Sequence, residues 1–358
     1  MSSDYRIKTM KLIQIGVGVR GDHWLDFIGS RDDVDIVACV DVDDAALAKA
    51  GEATGGETFR SLDEAMQKVE ADGVIVASPS MLHGEHSQQA LRAGLAVMVE
   101  KPLAASLAEA VDVVKTASEA GRPVMVAENY RFFQAERTLR QVIAGGELGR
   151  IDAVFCVDRR DQPSGSQGEW VKSMQEPFLT EIAVHHFDSF RYLFDSKPAS
   201  VWARSYNPPG SDYDQNGATQ AFIEMQDGFT IQYSGSYVGS RYEFDLLICG
   251  EHGDLRTNRS KVWRRAKGGR SWSEVELLPL TEGEELRYPN AGMQSLLNQF
   301  RDAIHNRAVP ETNGADNLWT LAMYQSALQS ASSGRNISIE EIFTPELRQK
   351  AGLDEPER

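Results

Sequence analysis

Gly16-Val17-Gly18-Val19-Arg20-Gly21 reads G-x-G-x-x-G, with a short apolar run before it and a helical pattern after it. In such a loop the first glycine permits a tight turn, the second lets backbone approach a pyrophosphate, and the third lets the helix pack closely on the strand. Alone the pattern is weak. Asp41 strengthens it by ending the second apolar run about 20 residues later, where a carboxylate accepts hydrogen bonds from an adenosine ribose and repels a ribose phosphate. NAD is therefore expected rather than NADP, with Arg20 leaving some room for the latter. The competing reading is a glycine turn followed by a solvated acidic turn, Asp41 to Asp44.

Two further constellations can move protons and charge. Glu100-Lys101-Pro102 closes an apolar run, which places an ammonium at the carboxyl edge of a sheet, where ligands of open α/β sheets bind. An ammonium there can hold a substrate hydroxyl and stabilise negative charge on its oxygen. A surface salt bridge from Lys101 to Glu100 fits the same spacing. Glu181-Ile182-Ala183-Val184-His185-His186-Phe187-Asp188 has a helical pattern that sets Glu181 and His185 four apart on one face. The carboxylate could orient the imidazole and stabilise its charged form, so that His185 takes a proton from an alcohol. An ordinary helix-surface pair has the same spacing.

These groups need elements to position them. From Lys11 to Glu128, apolar runs at Leu12–Ile15, Ile36–Asp41, Gly73–Ala77, Ala96–Glu100 and Val124–Ala127 alternate with helical stretches at Ala45–Ala50, Leu62–Val69, Glu85–Ala93 and Leu107–Ala120. That alternation predicts a parallel sheet wrapped by helices, with Gly51, Gly94 and Gly121 at helix C-caps. After Arg131 come a helix at Ala135–Ala144, a strand near Ile151–Val157, a glycine- and serine-rich loop from Gln162 to Gly168 and a helix from about Glu181. Turn-rich segments including Ala221–Met225, Thr230–Tyr237, Phe244–Gly250 and Val262–Arg265 predict a mostly antiparallel sheet. Met293, Leu296, Leu297, Phe300 and Ile304 mark one face of an amphipathic helix, and another helix spans about Ala315–Ser332. The acidic tail after Leu353 is expected to fray.

Composition sets the frame. A chain of 358 residues is long enough for two domains, expected at 1–128 and 129–358, with the C-terminal helices free to pack back on the first. Its net charge of −16 argues against a nucleic-acid partner, because phosphate backbones need clustered Lys and Arg. No run approaches the roughly 20 apolar residues that span a bilayer, and the segment before Gly16 is too short for a signal peptide, so a cytoplasmic protein without a membrane partner is expected. Cys39, Cys156 and Cys249 lack metal-ligand spacing and read as reduced thiols, so no metal site is expected.

Together the glycine loop, Ser78-Pro79 with His83, Glu100-Lys101-Pro102, Asn129-Tyr130-Arg131-Phe132, His185-x-x-Asp188, Gly250-x-x-Gly253 and the closing pattern of Phe300, Ala303, Ile304, Pro310, Ala322 and Ser326 resemble the ordered motifs of the Gfo/Idh/MocA family. The resemblance runs from about Lys11 to Ile339. It implies an α/β chain with an N-terminal Rossmann domain, a doubly wound parallel sheet, and a C-terminal α+β domain whose mostly antiparallel open sheet often forms subunit interfaces. It also implies NAD-dependent oxidation of a sugar or cyclitol hydroxyl and assembly as a homodimer or homotetramer. Carried over by residue, Lys101 orients substrate and His185 is the acid/base, while Glu181 stands where the family usually has aspartate. Ser78, Pro79, His83 and Glu100 fall beside the cofactor, and Tyr130, Arg131 and His186 beside the substrate. Arg159 and Arg160 end a strand from which one could reach a substrate oxygen, and Trp170 and Lys172 could close over the nicotinamide. A dinucleotide-binding sensor without redox chemistry, and a cofactor-retaining enzyme that cleaves glycosides through a keto intermediate, are the alternatives; retention of Lys101 and His185 argues against the first.

Overall fold

The computed structural model describes residues 9–166 and 169–353, without the side chains of Glu169 and Trp170. Three features singled out above, the loop end at Gln167 and Gly168, the Trp170 side chain and the tail beyond Leu353, lie outside the described residues. Two compact units share the chain. One takes it through Glu128 together with Arg287–Leu318 and the segment from Glu346; the other takes Asn129–Leu286 and Trp319–Pro345.

The first unit is built on six parallel strands, β1 (Met10–Ile15), β2 (Val34–Val40), β3 (Glu57–Phe59), β4 (Gly73–Val76), β5 (Ala96–Val99) and β6 (Val124–Val126), in the order β3-β2-β1-β4-β5-β6. Helices α1 (Val19–Gly29), α2 (Asp44–Thr54), α3 (Leu62–Lys68), α4 (His83–Arg92) and α5 (Leu107–Ala120) connect them. Every residue of β4, β5 and β6 is buried, as strands covered on both faces must be. Strand β3 gave no sequence signal because it is a three-residue edge, Glu-Thr-Phe, with no apolar run. Gly51 lies inside α2, contrary to the C-cap expectation: the helix runs on to Thr54 and stops at Gly55, whose φ of 69° suits the left-handed cap. Gly121 does cap α5, at φ 61°. Strand order reverses between β1 and β4, so the crevice at their carboxyl ends is where such a sheet takes a ligand.

The second unit opens with α6 (Gln134–Ala144), β7 (Ile151–Asp161), α7 (Glu169–Lys172) and α8 (Val184–Phe194). Strands β8 (Pro198–Tyr206), β9 (Ala218–Met225), β10 (Thr230–Ser236), β11 (Val238–Gly250), β12 (Gly253–Thr257), β13 (Val262–Ala266) and β14 (Ser273–Val275) follow. After α9 (Met293–Asn306) and α10 (Gly314–Ser333) come β15 (Ile337–Ser338), α11 (Ile339–Ile342) and α12 (Pro345–Lys350). The nine-stranded sheet runs β14-β13-β12-β11-β7-β10-β9-β8-β15, and only the β7–β10 pairing is parallel.

Strand alternation gives this sheet two unlike faces. Val154, Cys156 and Asp158 of β7 are buried on the side where Phe187 and Phe190 of α8 meet Tyr233 of β10. On the other side Phe155, Trp202 and Phe222 are each more than a third exposed, and the register sets them in one row across β7, β10, β9 and β8. No helix among the described residues is long and apolar enough to cross a membrane, and no disulfide joins Cys39, Cys156 and Cys249.

Candidate active site

The glycine loop follows β1 and turns at Gly16, whose φ is 85°. A Cβ there would stand 2.4 Å from the Ala77 and Ser78 backbone, and one on Gly21 would stand 2.1 Å from the Gly16 carbonyl oxygen. Gly18 differs: a Cβ would meet nothing within 4 Å, so the space beside the α1 N-terminus is open. Gly18 is also the α1 N-cap and supplies no side-chain cap, which leaves the amides of the first turn, including Val19 and Arg20, for an anion. Buried Gln14, which no sequence pattern marked, fastens the loop by donating from Nε2 to the carbonyl oxygens of Gly16 (3.2 Å) and Gly21 (2.8 Å).

Asp41 closes the other side, accepting from the Val17 amide at 2.9 Å and the Asp43 amide at 3.0 Å. A carboxylate has about four acceptor sites, so lone pairs remain for ribose hydroxyls. These residues fit a dinucleotide: open space over bare helix amides for the diphosphate and an acidic strand end for the ribose.

Arg20 and Glu100 find each other. Arg20 Nε lies 2.6 Å from Glu100 Oε1, Trp24 Nε1 donates to the same oxygen at 2.7 Å, and the Arg20 guanidinium lies 5.6 Å from the Trp24 ring centre. Burial would raise the Glu100 carboxyl, but the Arg20 charge and the Trp24 and Arg20 hydrogen bonds hold it below its ordinary value. Arg20 Nε is thereby engaged just past β5.

His83 is 2% exposed, with its ring nitrogens 2.7 Å from the Pro102 carbonyl oxygen and 2.8 Å from the Ser78 carbonyl oxygen. It therefore ties the turn after β4, Ser78-Pro79, to the turn carrying half-buried Lys101. Ser78 Oγ lies 2.9 Å from His86 Nδ1.

In the second unit Glu181 sits on a π-helical turn, Leu179–Ala183, and His185 on the α-helix that follows. The pair therefore spans a junction between a π turn and an α-helix rather than one regular α-helix. His185 is 8% exposed and stacks on Tyr130, ring centres 4.5 Å apart and planes inclined by 19°.

Arg131 fixes the Tyr130 turn. Its Nε and Nη2 each reach Asp188 at 2.6 Å, Thr320 Oγ1 donates to Asp188 at 2.8 Å, and both charged residues are buried. The fork expected to bind substrate is turned onto α8 instead.

His186 is 1% exposed, with Nδ1 2.9 Å from Tyr233 Oη and Nε2 3.2 Å from Asp158 Oδ2, which places it in the core beside His185. Burial lowers its pKa to about 3, so it stays neutral. Arg159 points to the uncovered sheet face, as strand alternation from buried Asp158 requires. Arg160, one residue on, takes the covered face and donates to Tyr130 Oη at 3.3 Å. Arg259, unmarked in the sequence, lies 4.2 Å over the Tyr130 ring and 4.0 Å over Phe244. Among the described residues no three His, Cys, Asp or Glu side chains cluster to hold a metal ion.

Residues 10–128 match the family model described as an oxidoreductase family, NAD-binding Rossmann fold, and residues 137–256 match the GFO/IDH/MocA C-terminal domain. The chain belongs to the Gfo/Idh/MocA oxidoreductase family. As a member it is an NAD(P)-dependent oxidoreductase. The 1,5-anhydro-D-fructose reductase of Ensifer adhaerens is 28% identical over 290 residues, covering 80% of this chain and 85% of that protein. The inositol 2-dehydrogenase of Rhizobium meliloti strain 1021 is 25% identical over 340 residues, covering 92% and 99%. In fold, the chain is similar to an oxidoreductase from Agrobacterium radiobacter solved with NAD+, L-tartaric acid and magnesium, with a TM-score of 0.83 at 21% identity, covering 93% of this chain and 99% of that one.

Proposed function

We propose that this oxidoreductase transfers a hydride between a hydroxyl of a sugar, sugar derivative or cyclitol and NAD. What carries the cofactor choice is Asp41, an acidic strand end bonded to the glycine loop. A ribose phosphate would meet the negative charge of Asp41. The substrate class is supported by the relatives, whose names include an anhydrofructose reductase, a D-apiose dehydrogenase and inositol 2-dehydrogenases.

In this reading the nicotinamide, when bound, accepts or returns the hydride. The chain's own groups handle the rest. Lys101, in a turn that His83 fastens, holds the substrate oxygen and stabilises negative charge on it. His185 takes the hydroxyl proton through its imidazole, kept in place by the Tyr130 ring. Glu181 supports His185 electrostatically from the π turn. Reduction runs the same steps in reverse. Serving a panel of inositols, aldoses, sugar acids and glycosides with NAD, and following near-ultraviolet absorbance, tests the proposal: free NADH supports it, whereas product without net NADH points to the cofactor-retaining alternative and no product to a sensor.

A second copy of the chain is the partner proposed for the uncovered face that bears Phe155, Trp202 and Phe222, since a row of exposed aromatic side chains on an otherwise complete sheet is an association surface. Light scattering on Trp202→Asp should show a smaller particle than the unaltered protein if that face joins subunits.

A further inference from the structure

Near His185, the second unit holds two arginines with donors to spare. Arg160 gives Nε to Asp158 Oδ1 (2.9 Å) and Nη2 to Asp158 Oδ2 (2.8 Å) and Tyr130 Oη (3.3 Å). Its Nη1 makes no hydrogen bond among the described residues, and its side chain keeps 17% exposure. Arg259, in left-handed backbone at φ 70°, reaches Glu136 Oε1 with Nε at 3.2 Å and Tyr242 Oη with Nη1 at 3.5 Å. Its Nη2 is buried without a hydrogen-bond partner.

Tyr130 connects both arginines to the imidazole. Its ring stacks on His185, the guanidinium of Arg259 lies over the ring at 4.2 Å, and its hydroxyl accepts from Arg160. His185 and Arg160 therefore touch the same tyrosine, one at its ring and the other at its hydroxyl. Tyr242, half exposed and 5.7 Å from the Arg160 guanidinium, walls the outer side.

The charges of this cluster do not balance firmly. Asp158 is engaged by Arg160 and His186, whereas Glu136 is 1% exposed and its Oε2 has no partner. Burial is the largest influence on Glu136 and pushes its carboxyl above the usual range, while both guanidiniums keep their protons. Neutral His186 adds nothing to offset them. Arg259 Nη2, buried without an acceptor, is costly to leave so, and Arg160 Nη1, on a side chain that keeps 17% exposure, can give an anion a charge-assisted hydrogen bond.

We infer that the substrate oxidised at His185 carries an anionic group, a carboxylate or a phosphate ester, bound by Arg160 Nη1 with Arg259 as the flanking positive charge. The inference rests on the dehydrogenase reading and narrows its substrate class to acidic sugars and polyols. The anion itself takes no part in the reaction.

The test compares matched pairs on the unaltered protein with saturating NAD: glucose against gluconate, glucuronate and glucose 6-phosphate, and myo-inositol against its monophosphate. The acidic member of at least one pair should exceed its neutral partner about tenfold or more in kcat/KM, the worth of a charge-assisted hydrogen bond. Preference for the acids or for the phosphates identifies which anion is read. Arg160→Gln should shrink that ratio towards unity and Arg160→Lys should restore part of it, chiefly through KM. Because loss of Arg160 strands Asp158, the unaltered protein is the deciding arm. Neutral substrates turned over as well as or better than every acidic partner would overturn the inference and leave the dehydrogenase reading standing. No NADH from any compound, with NAD still bound in calorimetry, would remove both.

Discussion

The ring of Tyr130 lies 4.5 Å from that of His185 and is inclined to it by 19°, so the residue proposed to move the proton is held by an aromatic plate on the element before α6. Tyr130→Phe keeps the plate and should retain most of kcat. Tyr130→Ala lets the imidazole turn, and kcat should fall about tenfold or more while the affinity for NAD is unchanged, because misplacing a catalytic group is costly even when binding survives. Steady-state kinetics with NAD calorimetry on both variants would sink the idea if Tyr130→Ala kept full turnover.

Lys101→Ala and His185→Ala should each lower turnover about a hundredfold or more, the usual worth of positioned acid–base help. NAD binding should persist in His185→Ala. Near-normal rates in both variants would refute their assigned roles.

Two of the loop glycines, Gly18 and Gly16, should answer differently to the same added bulk. Gly18→Ala meets open space at a φ of −70°, so the melting temperature should hold while NAD binding weakens, as the new Cβ occupies the ground proposed for the diphosphate. Gly16→Ala must place a Cβ 2.4 Å from backbone at a φ of 85°, so the fold itself should lose stability. Calorimetry and thermal melts on the two variants check this; equal loss of stability in both would mean that the loop is only a turn.

Glu100→Gln removes the charge facing Arg20 but keeps an acceptor for Trp24. Since the Glu100 carboxyl is held below its ordinary value, its contribution is present above the usual glutamate range and is lost as the pH falls through the lowered value. The variant should be less stable than the unaltered protein at neutral pH, by about 1–3 kcal/mol, and the gap should close on acidification. Denaturant titrations at two pH values, read by tryptophan emission, measure it.

His186 supplies a second pH dependence. Its pKa is lowered from 6.5 to about 3, first by burial, so between those values the unfolded chain binds a proton that the folded one does not. Stability should therefore decline as the pH drops below about 6.5. The imidazole nitrogen shifts of His186 should remain those of a neutral ring at pH 5, and a protonated ring there would contradict its burial against Tyr233 and Asp158.

Periodicity and local chemistry were enough for the elements that make their own case. The fully apolar strands, the glycine loop and Asp41 are local patterns whose physical demands, two-sided burial, a positive φ and a carboxylate at a strand end, can be met only by those residue types in that order. The first sheet and the mostly antiparallel second sheet were legible for that reason. Which polar group faces which was not legible. Strand parity could have assigned Arg160 rather than Arg159 to the covered face, since Val154 and Cys156 already marked it. Nothing local foretold that Arg20 would turn to Glu100, Arg131 to Asp188, or Arg259 to Tyr130, because each pair is brought together by chain segments 57 to 129 residues apart. A charged side chain settles where its desolvation is best offset, and that place exists only after the chain has folded.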